Sequence, residues 1–264
     1  MFYLYLQATA HIHFIVFLAY HRSTPAYKDQ KQTNPKHPLT PYKSLRLEGR
    51  IRLACERAGR KRDEVLLLGA SKGVPPERLR ELFACGLSTF GENRVQEFLK
   101  KWESLRDLPI NWHFIGRLQS NKVKYIIDKV NLIHSLDRDS LLEEIERRAK
   151  AIGKVQGVLI EGKVGGEETK GGVEPKELKA FFERCLKAEN IKVLGLMCIP
   201  PYRENPQEVR PYFSLLRRLK EELEGEFGVP LPHLSMGMSH DFEVAIEEGA
   251  TIVRIGTLLF GERS

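Results

Sequence analysis

The feature that most constrains this chain is a regular alternation of short apolar runs and helix-length amphipathic stretches. Eight runs read as strands: Val65–Lys72, Leu87–Glu92, Trp112–Gly116, Leu132–Leu136, Gly157–Val164, Val193–Ile199, His233–Met238 and Ile252–Phe260. They are near-continuous rather than alternating, as strands covered on both faces are. Helical patterns fill the gaps at Pro76–Cys85, Arg94–Trp102, Asn121–Lys129, Arg138–Ile152, Pro175–Ala188, Pro206–Phe227 and Asp241–Glu248, with a lead-in helix from Lys43 to Gly59. Such alternation implies right-handed parallel crossovers, and eight of them close into a (β/α)8 TIM barrel of one domain. The other arrangement is an open doubly wound sheet, but the GxGxxG fingerprint it often carries is absent.

Composition removes several function classes. The net charge is +7, yet the basic residues are interleaved with acidic ones, as in EEIERRAK and LLRRLKEELEGE. Those are solvated helix faces, and no aromatic–basic signature of nucleic-acid binding accompanies them. Cys55, Cys85, Cys185 and Cys198 lie far apart, without a CxxC pair, and read as reduced thiols of a cytoplasmic protein. No HExxH, paired-carboxylate or metal-ligand spacing stands out, so no metal is expected.

Residues 1–42 read as an extension separate from the barrel domain, residues 43–264. Met1 to Tyr20 is apolar enough to reach across a bilayer, but it carries Gln7, His11 and His13 and lacks a basic leader region. A disordered tail, or upstream sequence included by a misassigned start, accounts for it better than an anchor.

A barrel demands that its chemistry collect just after the strands. Strand 1 ends in Ser71-Lys72, where an apolar strand end favours loss of the lysine's proton and nucleophilic behaviour. The strands that follow open into Phe90-Gly91-Glu92-Asn93-Arg94, into Gly116 to Lys122 and into His134 to Arg138. Strand 7 opens into Ser235-Met236-Gly237-Met238-Ser239-His240-Asp241, and strand 8 holds Arg254-Ile255-Gly256-Thr257. Small residues and hydroxyls after strands 7 and 8 let backbone approach an anion at a barrel's usual phosphate position, so Ser235, Gly237, Ser239, Gly256 and Thr257 form an expected phosphate cup. A cup facing a reactive lysine suits a phosphorylated carbonyl compound, either pyridoxal 5′-phosphate or a sugar-phosphate aldehyde. His113 and His134 lie on apolar strands and read as structural histidines, and Met197, Met236 and Met238 as barrel packing.

Several stretches in order carry a closer likeness: ASK at Ala70–Lys72, FGENRVQE at Phe90–Glu97, WHFIGRLQSNK at Trp112–Lys122, IHSLDR at Ile133–Arg138, GEETKGG at Gly166–Gly172, GLMCIPP at Gly195–Pro201, LSMGMSHDFEVAI at Leu234–Ile246 and VRIGTLLFGER at Val253–Arg263. By these the chain, from about Leu45 to Arg263, resembles the pyridoxal phosphate homeostasis protein family, small proteins shaped like the barrel domain of alanine racemase. The resemblance implies a Schiff base between Lys72 and pyridoxal 5′-phosphate. It implies a phosphate held by Ser235, Gly256 and Thr257 with support from Gly237 and Ser239, Arg254 beside the cofactor, and Asn93, His113 and Met197 lining the pocket. It also implies a carrier that keeps free cofactor low and supplies apo-enzymes, without established turnover. One departure is Gly162-Lys163, where relatives typically read Val-Asn, which sets a second lysine near the pocket.

The rival function is an amino-acid racemase, which needs acid–base groups on both faces of the substrate. Related enzymes take the second, a tyrosine, from a further domain and a partner subunit, whereas this chain ends at Ser264, directly after strand 8. The expectation is therefore a monomeric, non-catalytic carrier.

Overall fold

Strands buried on both faces need helices on the outside and side chains packed on the inside, and the chain supplies both. A computed structural model describes residues 41–165 and 171–261. The expected extension lies outside the described residues except for its last two.

Strands β1 (Leu66–Ala70), β2 (Thr89–Glu92), β3 (Asn111–Phe114), β4 (Leu132–Leu136), β5 (Gln156–Glu161), β6 (Ile191–Met197), β7 (His233–Ser235) and β8 (Ile252–Ile255) form a closed barrel in sequence order. Every neighbouring pair is parallel, and β1 closes on β8 with Gly69 opposite Ile255. Leu68, Ile115, Leu132, Leu159, Met197 and Ile252 pack together as a core cluster. The β/α barrel expectation holds.

Around it run α1 (Pro41–Arg57), α2 (Pro76–Ala84), α3 (Val95–Ser104), α4 (Asp139–Ala151), α5 (Pro175–Leu186), α6 (Arg210–Phe227), α7 (Phe242–Glu247) and α8 (Thr257–Phe260). Prolines open α2, α5 and α6 within the first turn, where the missing N–H costs nothing. Helix α1 buries Leu47, Ile51, Ala54 and Cys55, one face at helical spacing, and Arg50 pairs with Glu243 of α7 at 3.1 Å. Among the described residues no helix is long and apolar enough to cross a membrane.

Strands 5 and 7 end at Glu161 and Ser235, three residues short of the sequence reading, and two further elements differ in kind. The helix expected at Asn121–Lys129 is a 3-10 segment, Ser120–Tyr125. It buries Val123, and Ile126 and Ile127 are buried just after it, so this short crossover needs little more than one tight turn. The strand expected to run through Phe260 stops at Ile255, and Thr257 to Phe260 turn into α8. Its apolar residues are those of a short helix, with Leu259 buried.

Candidate functional site

Lys72 stands two residues beyond β1, in a turn closed by the Val74 N–H donating to Ser71 O at 2.9 Å. Gly73 takes φ +71° there, a left-handed value that glycine adopts without strain. Both neighbours of Lys72 are fastened. The Ser71 N–H donates to Gly91 O at 3.0 Å, and the Ser71 hydroxyl donates to Glu92 Oε1 at 2.5 Å. The Gly73 N–H donates to Glu97 Oε1. Lys72 itself is half-buried, and its amine has no hydrogen bond or ion pair among the described residues.

The β1–β8 register sets this turn beside Gly256 and Thr257, which follow β8. The amides of Gly237, Gly256 and Thr257 and the exposed Thr257 hydroxyl likewise have no partner among the described residues. The Leu258 N–H donates to Ser239 Oγ at 3.3 Å, which ties the loop after β7 to the loop after β8. Gly237 takes φ +92°, and a Cβ there would stand 2.6 Å from the Ala245 Cβ, so the loop lies flush against α7 only with glycine at this position. This donor set fits a phosphate: several N–H groups and one hydroxyl, unclaimed and beside the turn that carries Lys72.

Ser235 closes β7. Its hydroxyl is fully buried, 2.7 Å from Arg254 Nη1 and 2.9 Å from His134 Nδ1. Arg254 also donates to Ser235 O at 2.7 Å and to Cys198 O at 2.8 Å, so its guanidinium spans from β8 to the end of β6. His134 Nε2 continues the chain to His113 Nδ1 at 3.0 Å. Burial, reinforced by His233, pushes His113 down to about 3. Burial, then the neighbouring His113 and Arg254, holds His134 well below the usual range. Both imidazoles are thus neutral at pH 7. Arg254 donates to Ser235 Oγ, while the His134–Ser235 and His134–His113 contacts run in the direction set by the His134 tautomer. The Ser235 hydroxyl therefore meets Arg254 and His134 in the barrel interior.

A cavity of about 220 Å³ opens over the ends of β2, β3, β5 and β6, lined by Asn93, Gly116, Arg117, Glu161 and Lys163 among others. Asn93 lines this cavity. His113 and Met197 are buried below, Met197 within the core cluster. Met238, read as packing, is instead 37% exposed at the rim. Lys163 reaches the cavity but pairs with Glu174 at 2.7 Å, so its charge is already matched. Burial and the nearby Asp137 carboxylate raise Glu161 to about 7, against the opposing pull of Arg254 and Arg117. Lys72, Thr257 and Gly256 do not line this cavity; they lie across the mouth from β5, on the β8–β1 side.

The model of the alanine racemase N-terminal domain family matches residues 72–264, beginning on the lysine of the turn. A pyridoxal phosphate homeostasis protein of Aquifex aeolicus is 69% identical over 214 residues, covering 81% of this chain and 94% of that protein. The chain belongs to the pyridoxal phosphate homeostasis protein family. A family member from Pseudomonas aeruginosa is 42% identical, covering 83% of this chain and 93% of its own. Among solved structures, PipY of Synechococcus elongatus, determined with PLP bound, is 36% identical with a TM-score of 0.72, covering 80% of this chain and 99% of that one. An alanine racemase from Corynebacterium glutamicum, 17% identical with a TM-score of 0.62, covers 82% of this chain and 61% of its own, and it shares the fold alone.

Sequence reasoning passed over Glu161, Glu97 and Lys101. Lys101 is 3% exposed inside the amphipathic helix α3 and donates to Glu92 Oε1 at 2.5 Å, to Ser71 O at 2.6 Å and to Glu97 Oε1 at 2.7 Å. A lysine spaced four residues after Glu97 reads as a surface pair. The available signal was Glu92, a carboxylate at the end of an apolar strand, which needs a buried partner.

Proposed function

We propose that this protein binds pyridoxal 5′-phosphate in the barrel mouth and holds it covalently on Lys72, as an intracellular carrier that releases cofactor to enzymes needing it. The observation that carries the reading is the uncommitted Lys72 amine beside the unclaimed donors of Gly237, Gly256 and Thr257. Lys72 would be the residue that holds the cofactor covalently, since the chemistry a bound cofactor would supply is an aldehyde open to an amine. The loops after β7 and β8 take the phosphate, and Thr257 contributes a charge-assisted hydrogen bond. Arg254, lying below with its Nη1 and Nη2 given to protein oxygens, fixes the floor between β6 and β8. The family's name and the PLP-bound relative support the same ligand.

A second reading, amino-acid racemisation, draws on Glu161, since a cavity carboxyl titrating near neutrality is a competent acid–base group. The two part in one experiment. Loaded protein mixed with L-alanine is expected to leave the amino acid in the L form over hours, and to activate an added apo-enzyme as its own near-visible absorbance declines. D-alanine accumulating at about 1 s⁻¹ or faster, the low end of ordinary turnover, replaces the carrier reading with the racemase.

The phosphate assignment has its own check. Thr257→Ala removes one hydrogen bond to a charged oxygen and is expected to weaken pyridoxal 5′-phosphate about tenfold, some 1.4 kcal/mol. Pyridoxal, which lacks the phosphate, should bind the variant as it binds the wild type. Equal losses for both ligands put the phosphate elsewhere.

A further inference from the structure

A buried lysine is rare unless paired, and Lys101 is paired twice over. Its ammonium sits between Glu92, fully buried, and Glu97, partly exposed. Apolar residues of similar volume would fill such a site at least as stably, since taking an ion trio out of water often costs more than the pairing returns. One oxygen of the trio, Glu92 Oε2, is even left without a partner. Stability alone does not account for the cluster, so its geometry is the better guide to its role.

That geometry converges on the two residues flanking Lys72. Lys101 Nζ donates to Ser71 O, the carbonyl that also closes the turn. Glu92 accepts from the Ser71 hydroxyl, and Glu97 accepts from the Gly73 N–H. Lys101 joins the two carboxylates, so one ammonium ties the backbone on both sides of Lys72 to β2 and α3. We propose that Lys101, with Glu92 and Glu97, is the positioning network of Lys72: it fixes the turn so that the amine is presented to the bound aldehyde. The inference rests on Lys72 being the attachment point. It adds that covalent capture is governed from helix α3, by residues that touch no ligand.

A positioned nucleophile gains rate through orientation, so loosening the turn should slow covalent capture more than it weakens phosphate binding. Full-length Lys101→Met, Lys101→Arg and Glu97→Ala are compared with wild type in three measurements. These are the rate at which pyridoxal 5′-phosphate becomes trappable by borohydride, the affinity for pyridoxine 5′-phosphate, which carries an alcohol in place of the aldehyde, and the melting temperature. Lys101→Met is expected to slow trapping about tenfold or more while pyridoxine 5′-phosphate binds within about threefold of wild type. Lys101→Arg, keeping the cation, should recover part of the rate. Glu97→Ala, which removes the Gly73 tether and one of the two ion pairs of Lys101 on a partly exposed helix face, should slow trapping about threefold. It decides the matter if Lys101→Met fails to fold.

Trapping at the wild-type rate in the folded Lys101 and Glu97 variants overturns the inference. So does an equal loss for both ligands, which marks a purely structural role. Lys72→Ala run alongside separates the two levels. Wild-type adduct yield in that variant overturns the attachment point itself. Loss of adduct there, with a wild-type rate in Lys101→Met, overturns only the positioning role.

Discussion

Replacing Lys72 by alanine is expected to abolish covalent capture of pyridoxal 5′-phosphate and leave the barrel intact. The side chain lies beyond β1, is half-buried, and makes no hydrogen bond or ion pair among the described residues. The turn that carries it is held through Ser71, Gly73 and Val74, so removing the amine disturbs none of the backbone fastenings. Substitutions at such positions usually change stability by no more than about 0.5 kcal/mol. Phosphate binding by the loops after β7 and β8 should persist, leaving a weaker, reversible complex. Borohydride treatment followed by intact mass measurement reads the result: one adduct on wild type, none on Lys72→Ala. An adduct of wild-type yield on the variant would move the attachment to another lysine. Lys163 is a poor substitute, because its ammonium is already paired with Glu174 and stands on the β5 side of the mouth.

How much of this was legible beforehand follows from where each signal sits in the chain. Strands such as Leu132–Leu136, buried at every residue, read as continuous apolar runs because a barrel covers both faces. Their alternation with helices then leaves few topologies, and Lys72 and Thr257 fall at the active end of the barrel. The end of β8 was not legible. Leu258, Leu259 and Phe260 continue the apolar run after Gly256, and only packing decides that they form a helical turn. The direction of the Ser235 hydroxyl was hidden for a related reason. It depends on His134, 101 residues away across the closed barrel, and on Arg254, 19 residues away on the neighbouring strand. The Glu92–Lys101 pair joins a strand end to the inner face of the next helix, where sequence alone offers the ordinary image of a solvated charge. Long-range polar partners are therefore what the structure adds, and they hold both the floor of the mouth and the lysine turn.

The same buried groups make the pH dependence of stability a sensitive test, because two of them oppose each other. His113 lies near 3 in the folded state against 6.5 unfolded, so between those values the unfolded chain binds more protons. Its contribution to stability is present above 6.5 and is lost as the pH falls, by about 2–3 kcal/mol between pH 7 and pH 4.5. Glu161 runs the other way. Raised to about 7 when folded against 4.5 unfolded, it takes up its proton first in the folded protein. Folding therefore gains about 2–3 kcal/mol from Glu161 over the same interval as the pH falls. For this pair alone the wild-type profile is nearly flat, and the neutral His134 tips it toward loss in acid. Glu161→Gln removes the compensating gain and leaves the histidines unopposed. Urea midpoints at pH 7 and pH 4.5 should show the variant losing about 2–3 kcal/mol more than wild type over that span. His113→Asn should shift the profile the opposite way, holding stability in acid better than wild type. Parallel profiles for Glu161→Gln and wild type would mean that Glu161 titrates in the folded protein at its ordinary carboxylate value. That outcome would also remove the acid–base group on which the racemase reading draws.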